Sequence, residues 1–118
     1  MILADTSVWV DHLRRGNQKL QALLYESKVV CHPFVRGELA CGSLKNRREI
    51  LTLLRSLPQA QMAEDEEVSR LIEDARLYGR GIGWVDAHIL TSTLISRSLI
   101  WTLDRQLASV AKALRVSI

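Results

Sequence analysis

The chain has 118 residues and a mass of 13.4 kDa, the size of one domain, and a core this large folds without disulfide or metal staples. Hydrophobic residues make up 47% and charged residues 25%, which excludes a disordered chain; no apolar run reaches transmembrane length, and the N-terminus lacks the basic start of a signal peptide. Sixteen Lys and Arg against 13 Asp and Glu leave +3, a mild basicity that admits a polyanionic partner without requiring one.

Met1–Ala4 is a short continuous apolar run, the pattern of a buried strand. Helices are expected from Ser7 to Arg15 and from Asn17 to Ser27. In the second, Leu20, Leu23 and Leu24 share a face. The valines of Lys28–His32 predict a strand. Pro33 suits the first turn of a helix that runs through Glu38 to Cys41. Lys45–Ser56 is helical and stops before Pro58, and Gln59–Met62 reads as a short strand. Glu64–Tyr78 is the most regular helix, with Val68, Leu71, Ile72 and Ala75 on one face. Its acids Glu64–Glu67 suit the positive end of the helix dipole and read as capping and solubility.

The clearest loop is Tyr78-Gly79-Arg80-Gly81-Ile82-Gly83. A buried helix over Gly83–Arg97 follows. Ser98–Leu103 reads as a strand, Asp104–Leu114 as a helix and Val116–Ile118 as an edge strand. Strands separated by helices need crossovers, which make a parallel sheet covered by helices. The expectation is a single α/β domain over residues 1–118. In such a sheet, function lies beyond the carboxyl ends of the strands.

Two acids fall there. Asp5 follows the first strand and Asp104 the last long one, while Asp86 opens the helix after the glycine loop and Glu38 lies in the helix after the second strand. Singly, each has an ordinary explanation as a helix cap, a dipole partner or a surface ion pair. Glu38 stands among Val35, Leu39 and Ala40, and Asp86 sits in an apolar helix, so both are expected near the core. Ionised carboxylates there are costly, and several around one crevice repel one another. A hard divalent cation resolves that conflict and supports metal-assisted hydrolysis.

At this point the sequence resembles the PIN-domain ribonucleases, and most closely the VapC-type toxins of toxin–antitoxin pairs. The matching pieces are Ile2-Leu3-Ala4-Asp5-Thr6-Ser7-Val8-Trp9, Arg36-Gly37-Glu38-Leu39, Gly81-Ile82-Gly83-Trp84-Val85-Asp86-Ala87-His88 and Leu99-Ile100-Trp101-Thr102-Leu103-Asp104-Arg105. They span the whole chain in order. The resemblance implies a three-layer PIN-like fold with four to five parallel strands. It implies catalytic, Mg²⁺- or Mn²⁺-holding roles for Asp5, Glu38, Asp86 and Asp104, with hydroxyl support from Thr6 and Thr102. It further implies RNA as substrate, a homodimer, a VapB-type antitoxin partner and a cytoplasmic setting. Two alternatives stand beside this reading: a PIN scaffold that binds RNA or antitoxin without cleaving, and a receiver-like phosphoacceptor module.

Among the remaining residues, Arg80 and Arg105 are the candidate RNA-phosphate contacts, being next to Asp86 and Asp104 in sequence; Arg14, Arg15, Arg47 and Arg48 are weaker candidates. Trp9, Trp84 and Trp101 are expected in the core rather than stacked on bases. His88 is expected as a core histidine, not a general base. Cys31 and Cys41 are expected to be buried thiols, since their spacing to the histidines fits no zinc pattern. With the four acids set aside, 16 basic residues face nine acidic ones, a surplus of +7.

Overall fold

A computed structural model describes all residues from Met1 to Ile118. The elements are β1 (Ile2–Ala4), α1 (Thr6–Arg15), α2 (Gln18–Tyr25), β2 (Val29–Val30), α3 (Pro33–Ala40), α4 (Arg47–Ser56), α5 (Asp65–Asp74), α6 (Trp84–Ile95), β3 (Leu99–Trp101) and α7 (Arg105–Ala113). The sheet is parallel, in the order β2-β1-β3. Ile2 is paired with Val29 on one side and Leu99 on the other.

The two outer strands expected from the sequence are reduced to single parallel bridges, Cys31 with Gln59 and Ile100 with Ser117. Five segments therefore lie side by side, but only three form regular strands. The reason is local. On the Gln59 side, Pro58 has no N–H to extend the pairing.

The crossovers sort the helices. α1 packs on α2 and α3, α3 on α4, and α5 on α6. Right-handed connections outward from β1 through β2 to Gln59 put α1–α4 on one face. The return to β3 and on to Ser117 puts α5–α7 on the other. The layers are thus helix, sheet, helix. Between them, Leu3, Ala4, Val8, Trp9, Leu90, Ile100 and Leu107 are buried, each of the larger apolar side chains contributing about 1.5–3 kcal/mol.

Helix ends follow identifiable chemistry. α2 and α5 stop short of Ser27 and Tyr78, because Ser27 and Arg76 turn to φ of 57° and 54°. The acidic start of α5 caps it, with the Glu64 N–H donating to Glu67 Oε1 at 2.8 Å. His32 caps α3: its Nδ1 accepts from the Phe34 N–H at 2.9 Å, while Nε2 lies 3.0 Å from Ser92 Oγ on α6. Since Nδ1 accepts, the ring proton sits on Nε2 and goes to Ser92. Burial pushes this imidazole down to about 4, and His88 adds to the effect. Cys31 is buried as expected, and burial pushes its thiol up to about 11, whereas Cys41 is exposed at the end of α3.

Candidate active site

β1 is the central strand, and its neighbours are reached in opposite directions. The chain therefore diverges at the carboxyl end of β1, which opens a crevice there. Asp5 stands at that point, buried, its N–H bonded to the Trp101 carbonyl of β3 at 3.0 Å. It is also the N-cap of α1, accepting the Ser7 N–H on Oδ1. Its other oxygen, Oδ2, accepts from Thr102 Oγ1.

The hydroxyls form a directional network. Thr102 spends its one proton on Asp5, so Ser7 Oγ, 3.3 Å away, must donate to Thr102. Ser7 Oγ in turn accepts the Leu103 N–H at 2.9 Å, and Thr102 Oγ1 accepts the Asp104 N–H at 3.0 Å. One threonine thereby ties Asp5 to Asp104. Asp104 caps α7, its Oδ1 accepting the Leu107 N–H at 2.9 Å. Ser7 carries half of this bridge and was not singled out from sequence; its position two residues after Asp5 was the available signal.

Asp86 lies half-buried in the first turn of α6, facing the Gly83 N–H at 3.3 Å. Burial raises its proton affinity. The Gly83 N–H opposes that, and the charges of Asp5 and Asp104 add to it. Asp86 therefore feels both Asp5 and Asp104. The glycine loop helps to set this spacing. Gly81 has φ of 80°, and a Cβ there would stand 2.6 Å from Gln106 Cγ, so the loop before α6 rests directly on α7.

Glu38 is a correction. Val35 and Leu39 turn inward on α3, but Glu38 is exposed, not near the core. It joins the site through Thr6, whose Oγ1 donates to Glu38 Oε1 at 2.8 Å. Thr6 and Thr102 thus each hold one carboxylate. As the side chains stand, no three acidic, histidine or cysteine groups close on a single point. The donor set is nonetheless all oxygen, and the charges of Asp5 and Asp104 bear on Asp86, which suits a hard divalent cation.

Arg80 and Arg105 are exposed, and neither pairs with a carboxylate. The other arginines separate. Arg15 pairs with Asp11, and Arg47 donates to the Ala40 and Gly42 carbonyls at 2.6 and 3.3 Å, bracing the turn after α3. Arg14 lines a groove of about 530 Å³ that leads from Thr6 and Glu38 over Val10, Leu13 and Ile50 to Lys45. Of the tryptophans, Trp9 is buried as expected. Trp101 is half-buried under the Lys19 ammonium, 4.8 Å from its ring centroid, and Trp84 is exposed. His88 is buried, with Nε2 bonded to Asp65 Oδ1 at 3.0 Å. Asp65 thus does more than solubilise α5.

Comparison with known proteins adds two findings. The model of the PIN domain matches residues 2–113. Two curated relatives, both named Ribonuclease VapC32 and from Mycobacterium tuberculosis strains CDC 1551 / Oshkosh and ATCC 25618 / H37Rv, are each 46% identical over 108 residues. That alignment covers 91% of this chain and 87% of each relative.

Proposed function

The chain belongs to the PIN-domain family, in its VapC-type branch, and from that membership we propose that it is a metal-dependent endoribonuclease and the toxin of a toxin–antitoxin pair. The observation that carries the reading is the crowding of Asp86 by Asp5 and Asp104 at the carboxyl end of the central strand. Asp5, Asp86 and Asp104 would hold Mg²⁺ or Mn²⁺, with Glu38 as a further ligand or as the group that orients the attacking water. A bound divalent cation supplies an acidified water and charge neutralisation at the phosphodiester.

The chain's own residues do the rest. Thr102 would orient the Asp5 carboxylate toward the metal position. Thr6 aims Glu38, an exposed carboxylate able to accept a proton from water. Arg80 and Arg105 offer free guanidinium groups to the RNA backbone, offsetting its repulsion from the acids. The +7 surplus outside the quartet acts in the same sense.

The proposed setting is the cytoplasm, and no helix of the chain is long and apolar enough to cross a membrane. The proposed partners are a VapB-type antitoxin and a second copy of the chain. The groove from Glu38 to Lys45 suits an antitoxin segment with apolar side chains and one cation at the acidic end. Family membership leaves no support for the receiver-like alternative.

One observation favours a second reading, a scaffold that binds RNA without cutting it: the acids do not already converge on one point. A single experiment separates the two. Purified protein is incubated with RNA and Mg²⁺ or Mn²⁺, with and without EDTA, beside Asp5→Asn. Cleavage that stops in EDTA and in the variant is expected. Cleavage that survives either refutes the metal mechanism, and tight RNA binding without turnover at any divalent metal establishes the scaffold.

A further inference from the structure

Both oxygens of the Asp5 carboxylate are held through one residue. The Ser7 N–H donates to Oδ1, and the Ser7 hydroxyl reaches Oδ2 by way of Thr102. A serine in the first turn of a helix commonly turns its hydroxyl to nearby backbone of its own segment. Ser7 does not. Both bonds of its Oγ cross to the turn between β3 and α7, one to Thr102 Oγ1 at 3.3 Å and one from the Leu103 N–H at 2.9 Å. The donors run in one direction, from Leu103 N–H to Ser7, from Ser7 to Thr102 and from Thr102 to Asp5.

The chain path explains why this link matters. At this end of the sheet, the Asp5 N–H bonds the Trp101 carbonyl at 3.0 Å. Past Trp101 the turn Thr102–Asp104 leaves the sheet, and side chains alone tie it to the start of α1. Asp104 ends that turn, its N–H held by Thr102 Oγ1 at 3.0 Å. Asp5 is buried at a strand end, whereas Asp104 is exposed. A lost tie would therefore release Asp104 and its turn, not Asp5. Ser7 is the residue that joins the two sides.

The consequence is selectivity as well as strength. Mg²⁺ demands near-octahedral oxygens at about 2.0–2.1 Å, whereas Ca²⁺ accepts more oxygens at about 2.3–2.6 Å in flexible geometry. Carboxylates held at a fixed spacing favour the small ion, and carboxylates free to part admit the larger one. Building on the metal-dependent reading of these acids, we propose that Ser7 is a positioning residue that holds Asp104 to Asp5 and thereby sets the preference of the site for Mg²⁺ or Mn²⁺ over Ca²⁺.

The test reads cation binding without RNA or turnover. Chelator-stripped protein is titrated with Mn²⁺ and followed by EPR, and the bound Mn²⁺ is displaced with Mg²⁺ or with Ca²⁺. In Ser7→Ala, Mg²⁺ affinity should fall roughly tenfold and Ca²⁺ affinity by clearly less, so that the ratio moves toward Ca²⁺. Ser7→Thr keeps the donor and the acceptor and should hold the wild-type ratio. Ser7→Cys is close in shape but a weak hydrogen bonder, so it should shift the ratio as Ser7→Ala does, and it supplies the measurement if Ser7→Ala does not fold. In EDTA the Leu103 amide should exchange faster in Ser7→Ala and at the wild-type rate in Ser7→Thr. A ratio unchanged in Ser7→Ala and Ser7→Cys overturns the proposal even if both affinities fall, because an equal loss marks a merely structural role. A shift that Ser7→Thr shares, or unchanged Leu103 exchange in Ser7→Ala, overturns it too. Wild type that binds none of the three ions refutes the metal-dependent reading and this proposal with it; wild type that binds them, with no shift in the variants, refutes this proposal alone.

Discussion

Asp104 has two separable duties, and the pair Asp104→Ala and Asp104→Asn distinguishes them. As N-cap of α7 its carboxylate accepts the Leu107 N–H at 2.9 Å, and Leu107, Val110 and Ala111 anchor that helix in the core. Removing a cap of this kind costs about 1 kcal/mol. An unfolding entropy of about 0.25 kcal/mol/K for 118 residues converts that to a Tm drop of about 4 °C. Asparagine caps as well as aspartate, so Asp104→Asn should melt within about a degree of wild type in EDTA. As a proposed metal ligand the same carboxylate has no amide substitute. Both variants should therefore lose RNA cleavage by at least about tenfold, and neither should gain the full Tm increase that Mg²⁺ gives wild type. Calorimetry with and without metal, beside an RNA cleavage assay, reads both effects. If Asp104→Asn melts as low as Asp104→Ala, the cap argument is wrong. If it cleaves like wild type, the ligand argument is wrong.

Other expectations follow from the same contacts. Gly81→Ala adds a Cβ 2.6 Å from Gln106 Cγ at φ of 80°, and should cost about 1–2 kcal/mol in urea unfolding; adding Gln106→Ala should recover part of it, and a wild-type midpoint in the single variant would contradict the packing. Thr102→Val removes the donor to Asp5 and the acceptor of the Asp104 N–H, so kcat should fall about tenfold while Thr102→Ser restores it, as steady-state cleavage would show. His32 is held neutral, its value falling from 6.5 unfolded to about 4 folded. Its contribution to stability is complete above pH 6.5 and is lost as pH falls toward 4, by up to about 3 kcal/mol. Urea midpoints for wild type and His32→Asn across that range should converge in acid; parallel curves would remove His32 as the cause.

Much of this was legible in the sequence because strands and caps are local. Met1–Ala4 and the valines after Lys28 declare buried strands, and an acid placed one residue after a strand is carried to the sheet's carboxyl end by the chain itself. Periodicity marked the inward face of α5, where Val68 is buried and Leu71 and Ile72 are partly so. The failures came where a distant residue decides. Glu38 and Val35 are three apart, yet one faces water and the other the core, a split that helical spacing alone does not give. Trp84 looks like core by composition, but α6 begins beyond the edge of the packed layer. Ser7, Thr102 and Asp5 meet across 95 and 97 positions, a juxtaposition that only β1 lying beside β3 creates. The short pairing at Gln59 reflects Pro58, whose missing N–H outweighs local strand preference.

The single-residue bridges at the sheet margins have a consequence for recognition. Beyond Gln59, the Ala60 N–H is taken by the Cys31 carbonyl at 2.8 Å and the Gln61 N–H by Ser96 Oγ at 3.3 Å. A peptide seeking to extend the sheet past Gln59 finds the Gln61 amide already occupied. On that margin a polypeptide partner is chosen by side chains fitting between helices, where a single substitution can change the choice, more than by main-chain pairing, which is indifferent to sequence. Close relatives sharing this backbone can in that way remain insulated from one another's partners.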